Sequence, residues 1–269
     1  MKSIHNLVIL VIAGAVANSN AAVVSAGSST TFSFIDDVWT NGSVTQTGYL
    51  DDATSGSLTK DGITLSFQSS FGGVGVASTR NLTLDNGNPT GFVLGTNEDP
   101  NDLNGNLVNY QRWDFSFSQP ILLNNLILDD IDSDNLDLFS NLDGFRDAIA
   151  AEGFTTSVPG AVGFGVDAEF AIGTGLISGV IGANGGQTLN YVIAGPADNP
   201  NNDPQHRASL SFGTTPVSSF SIYSFSDRSR SHRVSLLEGI IEVTPVPEPS
   251  GALLALTSLP LLLRRRRSA

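Results

Sequence analysis

Apolar side chains recur at every second position through the middle of this chain. In the stretch RWDFSF, Trp113, Phe115 and Phe117 fall on one face of an extended strand, and Asp114 and Ser116 on the other. A period of two belongs to β-strands, because successive side chains point to opposite faces of a sheet. ASLSFG repeats the pattern with Leu210 and Phe212, and VSSFSIYSF, ITLSF and TTFSFI are similar. Such strands pack one face and wet the other, as antiparallel sheets do. Proline and glycine punctuate the runs, and 28 glycines and 12 prolines provide for many turns. The reading is an all-β domain over residues 27–244, an antiparallel β-sandwich or jelly roll of about a dozen strands.

One stretch departs from this period. NLDGFRDAIAAEGF places Leu142, Phe145 and Ile149 at helical spacing, with Asn141 or Asp143 to cap the start and Gly153 to end it. A short helix is predicted over residues 142–152. FSFSQPILLNNLILDDIDSD and LSFGTTPVSSFSIYSFSDRS also share a plan: aromatic strand, turn, proline, second strand, acidic end. LLEGIIEV reads as the last strand of the domain.

The two ends are apolar in a different way. The start has Lys2, an apolar run from Leu7 to Ala17, and then small residues. That order predicts a secretory signal peptide over residues 1–26, cut by signal peptidase after Ala22 or Ala26. The end, residues 245–269, alternates Pro245, Pro247 and Pro249 with Val246, Glu248 and Ser250. Proline fixes its own φ and biases its predecessor to extended geometry, so an accessible stalk is expected. Next come 13 residues from Gly251 to Leu263, about 20 Å as a helix, against a hydrocarbon core of roughly 30 Å. Arg264, Arg265, Arg266 and Arg267 follow, and read as a cytoplasmic stop signal beside a short membrane segment.

Val246-Pro247-Glu248-Pro249-Ser250, an apolar run and an arginine cluster together resemble the PEP-CTERM sorting signal. The resemblance covers about residues 246–267. It implies a Gram-negative bacterium with an exosortase, a membrane-embedded protease that processes such tails. It also implies export, transient anchoring in the inner membrane, and a destination at the cell surface or among extracellular polysaccharide. The middle of the chain is loosely similar to β-sandwich domains of bacterial exported proteins.

Charge narrows the partners. The formal net charge is −13, and all 26 acids lie between Asp36 and Glu248, facing eight bases once Lys2 and the arginine tail are set aside. Such a surface repels nucleic acid and anionic lipid. There is no cysteine, which excludes disulfides and thiolate metal sites. DDIDSDNLD places Asp130, Asp132 and Asp134 at alternate positions, with Asp129 and Asp137 beside them, as a loop that converges oxygens on a structural calcium ion would. It is not an EF-hand, and a solvated acidic strand end is the competing reading. TNEDPNDLNGN and ADNPNNDPQH follow the same logic, but also make ordinary Asx-turns. DRSRSHR gathers Arg228, Arg230 and Arg233, a cluster for an anion or for nearby acids. Of three histidines, His5 leaves with the signal peptide, and neither His206 nor His232 sits in a metal or triad motif. The expectation is a non-catalytic, polysaccharide-associated surface protein. A secreted carbohydrate-active enzyme and a purely structural adhesin are the alternatives.

Overall fold

The computed structural model describes residues 28–48, 53–72, 92–94, 101–133, 146–161, 163–183, 186–195, 204–227 and 234–246. Seventeen strands lie among them: β1 (Thr30–Ser33), β2 (Val38–Asn41), β3 (Val44–Thr47), β4 (Ser55–Lys60), β5 (Ile63–Gly72), β6 (Phe92–Leu94), β7 (Tyr110–Asn125), β8 (Ile127–Asp129), β9 (Asp147–Phe154), β10 (Gly165–Asp167), β11 (Glu169–Ile172), β12 (Leu176–Gly182), β13 (Thr188–Ala194), β14 (Ala208–Ser211), β15 (Val217–Ser226), β16 (Val234–Leu236) and β17 (Ile240–Pro245). The all-β expectation holds. A large sheet runs β12-β13-β9-β15-β7-β5-β4-β2-β3, with β10 added to β9, and with β17 lying between β1 and β7. A small sheet runs β11-β14-β8-β16-β6. All strand pairs in both ladders are antiparallel.

The core draws on both sheets. Phe32, Trp39, Leu65, Trp113, Phe115, Phe220 and Ile222 of the large sheet share one apolar cluster with Leu128, Leu210, Val234 and Leu236 of the small one. Trp39 stacks on Phe34 with centroids 4.4 Å apart, and its Nε1 donates to the Ser33 carbonyl at 3.0 Å. Phe115 lies 4.9 Å from Phe220 across β7 and β15. Apart from Trp39, these are aromatic positions of the period-two runs, and all are buried. Burying a large apolar side chain contributes about 1.5–3 kcal/mol, so this stripe is the main source of cohesion between the layers.

A second, smaller cluster forms on the opposite face of the large sheet. Ala148, Ala150, Ile181, Leu189, Ile193, Tyr223 and Phe225 pack there under Leu107. Leu107 belongs to a loop pinned by Asn101, whose Oδ1 accepts from the Val108 and Asn109 amides at 2.9 Å. This cluster covers Tyr223 and Phe225, and β15 is buried at every position, not on alternate ones.

Three expectations are corrected. The predicted helix is strand β9 from Asp147 onward, and residues 141–145 lie outside the described part. DAIAAEGF pairs with β15 on one side and with β13 and β10 on the other. Alanine favours helix in isolation, but two flanking strands and burial on both faces override a propensity worth tenths of a kcal/mol per residue. Small side chains are what a strand packed on both faces accommodates. At Gly153 even a Cβ would come within 2.8 Å of Val217 Cγ1 and 2.9 Å of Phe212 Cδ1.

The internal echo is the second. In its first copy both predicted strands lie on the single strand β7, which passes through Pro120, and the acidic end follows on β8 of the small sheet. Its second copy splits between β14 in the small sheet and β15 in the large one. LLEGIIEV is the third. It is cut by a 3-10 turn at Leu237–Gly239, where Glu238 (φ 57) and Gly239 (φ 59) adopt left-handed backbone, and the chain crosses from β16 in the small sheet to β17 in the large one.

The ordered domain also reaches slightly further than expected. Pro245 closes β17, paired with Ile121, and the Val246 amide donates to the Pro120 carbonyl at 2.9 Å. Pro245 and Val246, expected in the stalk, are therefore held on the large sheet. Residues 1–26, Pro247 to Ser250 and Arg264 to Arg267 lie outside the described residues. Among the described residues, no helix is long and apolar enough to cross a membrane.

Candidate functional site

The face of the large sheet opposite the core carries two polar rows, open to solvent from β2 to β7 and fully buried where Ser219 and Ser221 of β15 cross them. Antiparallel partners point to the same face, so register aligns side chains across strands. One row reads Thr40, Ser57, Ser66, Ser116 and Ser219 across β2, β4, β5, β7 and β15. The next reads Ser55, Gln68, Asp114, Ser221, Glu152 and Asp167 across β4, β5, β7, β15, β9 and β10. Five strand spacings make this second row about 24 Å long. Sequence neighbours of these residues, such as Leu58, Phe67, Phe115, Phe220 and Ala151, face the core.

A groove of about 360 Å³ lies over the β2-to-β7 half of the rows. Ser57, Ser66, Gln68, Asp114 and Ser116 line it, and Pro159 closes one side. Hydroxyl and amide groups both donate and accept, and a carboxylate accepts at two oxygens. The groove is therefore equipped for a ligand rich in hydroxyls. Among the described residues, Asp114 is the one charged residue in its lining.

Beside the groove the second row is knitted together. Arg112 Nε donates to Asp114 Oδ1 at 2.7 Å, and Arg112 Nη2 donates to Ser221 Oγ at 3.1 Å. Ser221 Oγ donates to the same Asp114 oxygen at 2.5 Å. The guanidinium carbon sits 5.4 Å from the centre of the Tyr223 ring, and Tyr223 Oη donates to Glu152 Oε1 at 2.5 Å. Burial pushes the Glu152 carboxyl above its ordinary value, although the Tyr223 hydroxyl and the Arg112 charge pull it down. Burial, then the neighbouring carboxylate of Glu152, pushes the Tyr223 phenol up as well. Burial alone would lower the Arg112 pKa, but Tyr223, Asp114 and Glu152 outweigh it and hold the cation. The chain after β9 passes beside this array, where a Cβ at Gly160 would lie 3.2 Å from Arg112 Nη2. Ser218 and Ser219 Oγ donate to the Thr155 and Thr156 carbonyls at 3.3 and 2.7 Å, and the Thr155 amide donates to the Phe164 carbonyl at 3.1 Å.

The residues expected to bind calcium lie elsewhere. Asp130 and Asp132 are brought close to Asp129, and Asp134 lies outside the described residues. Asp129 is fully buried and accepts from Arg207 Nε at 3.0 Å. Asp130 takes left-handed backbone (φ 62), and its carboxyl is pushed up to about 6 by burial, then by Asp132 and Asp129. Among the described residues, no three His, Cys, Asp or Glu side chains converge in a way that would hold a metal ion. His206 is buried near this acid patch, with Nδ1 at 3.2 Å from the Ile131 carbonyl. Asp99, Asp203, Arg228, Arg230, His232 and Arg233 lie outside the described residues.

Arg112, Ser221, Tyr223 and Glu152 were not singled out by sequence. Glu152 fell within the predicted helix. The other three sat on strands whose polar positions were legible but whose partners were not. The chain matches no family model, no curated protein and no solved structure.

Proposed function

We propose that this chain is an exported surface or extracellular-matrix protein, processed at its C terminus by an exosortase-type protease and associated non-catalytically with extracellular polysaccharide. The terminal signals support export and processing. The polysaccharide part rests on one observation: from β2 to β7, two aligned rows of hydroxyl, amide and carboxylate groups lie open in a groove on the face opposite the core. Polar groups placed at strand spacing suit an extended chain of sugars, whose hydroxyls repeat along its length. A sandwich of the two sheets is the scaffold that presents them.

A glycan-binding screen of the processed protein tests this reading, with calcium and with chelator. Ser57→Trp fills the groove and should weaken binding at least tenfold. Absence of any glycan ligand would end the polysaccharide reading and leave a structural adhesin. A second reading, a secreted carbohydrate-active enzyme, draws on the placement of Asp114 and Glu152 on either side of Ser221. Two strand spacings put their Cα atoms about 9.6 Å apart, and paired carboxyls about 5–10 Å apart can hydrolyse glycosidic bonds. Release of reducing ends that Glu152→Gln abolishes would select it.

A further inference from the structure

We propose that the free edge of β12 is a docking site for a second copy of this chain, and that two copies join there by antiparallel β12–β12 pairing. The inference is independent of the polysaccharide reading above.

Strands β12 and β3 are the two ends of the large sheet. An edge strand carries unpaired N–H and C=O groups, and proteins that stay apart protect it with short length, charge, proline or a bulge. β3 is short, four residues, and its sequence VTQT is mostly polar. β12, LISGVIG, is seven residues long and has no charged residue and no proline. It pairs with β13 in unbroken register, from Leu176↔Ala194 to Gly182↔Thr188. Its neighbour β13, TLNYVIA, is uncharged as well. In a chain of net charge −13, two copies can approach here without carboxylates from these strands facing each other.

The backbone fixes which groups are free. The Gly182 amide donates to the Gly105 carbonyl at 3.2 Å, and the Gly182 carbonyl accepts from the Leu107 amide at 2.7 Å. Gly182 therefore points its backbone groups away from β13. So do Val180, Ser178 and Leu176, because this direction alternates along a strand. The Leu176 amide donates to the Gly173 carbonyl at 3.1 Å. Between these two occupied positions, the amides and carbonyls of Ser178 and Val180 have no backbone partner among the described residues.

That set is self-complementary. Antiparallel pairing about a two-fold axis at Gly179 sets Ser178 opposite Val180 of the second copy, and Val180 opposite its Ser178. Each such pair exchanges two hydrogen bonds, so every open amide on one copy meets an open carbonyl on the other.

The side chains fit the same partner. Ile177 lies on the face of the second cluster with Ile181, and Val180 lies on the core face with Leu176. They are 45% and 57% exposed. Apolar side chains bare on both faces of one edge are covered by a strand that continues the sheet, not by a surface laid against one face. In the pair, Ile177 lies beside Ile181 of the second copy, and the two Val180 side chains lie diagonally across the axis. Such an interface is small and belongs to the weak class. Each copy keeps its groove, which lies over β2 to β7 toward the other end of the sheet.

The chain has no cysteine, so introduced thiols report the pairing. Residues opposite each other in a hydrogen-bonded pair have Cα atoms about 5.5 Å apart, within disulfide range, whereas diagonal neighbours at about 7–8 Å lie beyond it. Mixing Ser178→Cys with Val180→Cys under oxidation should give a disulfide-linked heterodimer in at least tenfold excess over the dimers that either variant forms alone. Sedimentation equilibrium of the processed protein, up to about 1 mM, should show a monomer–dimer equilibrium. Val180→Pro removes one outward amide and leaves the β13 ladder intact, as proline at an edge does. Val180→Lys places a charge on the edge and keeps its backbone. Both should weaken the dimer at least tenfold with unchanged melting, and the lysine variant carries the test if the proline variant does not fold. A monomer at every concentration, with no excess of heterodimer, would overturn the proposal. So would a dimer that Val180→Lys leaves intact, or disulfides that form equally in every combination.

Discussion

Replacing Arg112 by methionine keeps the length of the side chain and removes its charge. The guanidinium pairs with Asp114 at 2.7 Å, with only 21% of each side chain exposed, so solvent screens the pair incompletely. It also donates to Ser221 and covers the Tyr223 ring. A hydrogen bond of this kind contributes about 1 kcal/mol, and a cation over an aromatic ring about 0.5–1 kcal/mol. A half-buried ion pair falls between the exposed and buried extremes, at about 1–2 kcal/mol. Together these give a loss of about 3 kcal/mol at pH 7.5, which lowers the melting temperature of a domain this size by roughly 6–12 °C. The loss should shrink in acid. Without Arg112, the Glu152 carboxyl, already raised by burial, rises further, because the arginine charge is one of the effects holding it down. A carboxyl with a raised folded pKa binds its proton more tightly in the folded state, so the variant recovers stability as pH falls through that value. Melting the protein and Arg112→Met at pH 7.5 and at pH 4.5 measures both effects. Equal melting temperatures at pH 7.5 would mean that the array is a solvated surface pair. A loss of the same size at both pH values would mean that Arg112 acts by packing alone.

Three further outcomes are expected. In chelator, Asp130→Asn should raise the melting temperature by roughly 2–6 °C at pH 7.5 and leave it unchanged near pH 4. The raised carboxyl of Asp130, at about 6, costs stability as pH rises from about 4 through 6, a cost of about 1–2 kcal/mol once screening is allowed for. Asparagine also tolerates the left-handed backbone at this position. If Asp130, Asp132 and Asp134 hold calcium, the protein should melt several degrees higher in calcium than in magnesium or chelator, and superimposed curves would remove the ion. In the native host, intact mass should show a mature protein without residues 1–26 and without Arg264 to Arg267, whereas a strain lacking the exosortase should retain the arginines.

In RWDFSF and ASLSFG, local period alone settled which residues face inward. Trp113, Phe115, Phe117, Leu210 and Phe212 were legible as core because side-chain direction in a strand depends only on position along it. The tail motif and the expected leader were read from linear pattern alone, and both lie outside the described residues. Other features belong to the tertiary structure. DAIAAEGF became strand β9 because two neighbours supplied its backbone bonds, and no pattern inside the segment reports their presence. The two copies of the echo diverged because one proline sits within a strand that continues and the other follows a turn between sheets. The candidate site is the clearest case. Serines alternating with aromatics marked a wet face, but only register brings Gln68, Asp114, Ser221, Glu152 and Asp167 into one row. Those residues are far apart in the chain. Their alignment is set by long-range backbone pairing, whose register depends on every strand in the sheet at once.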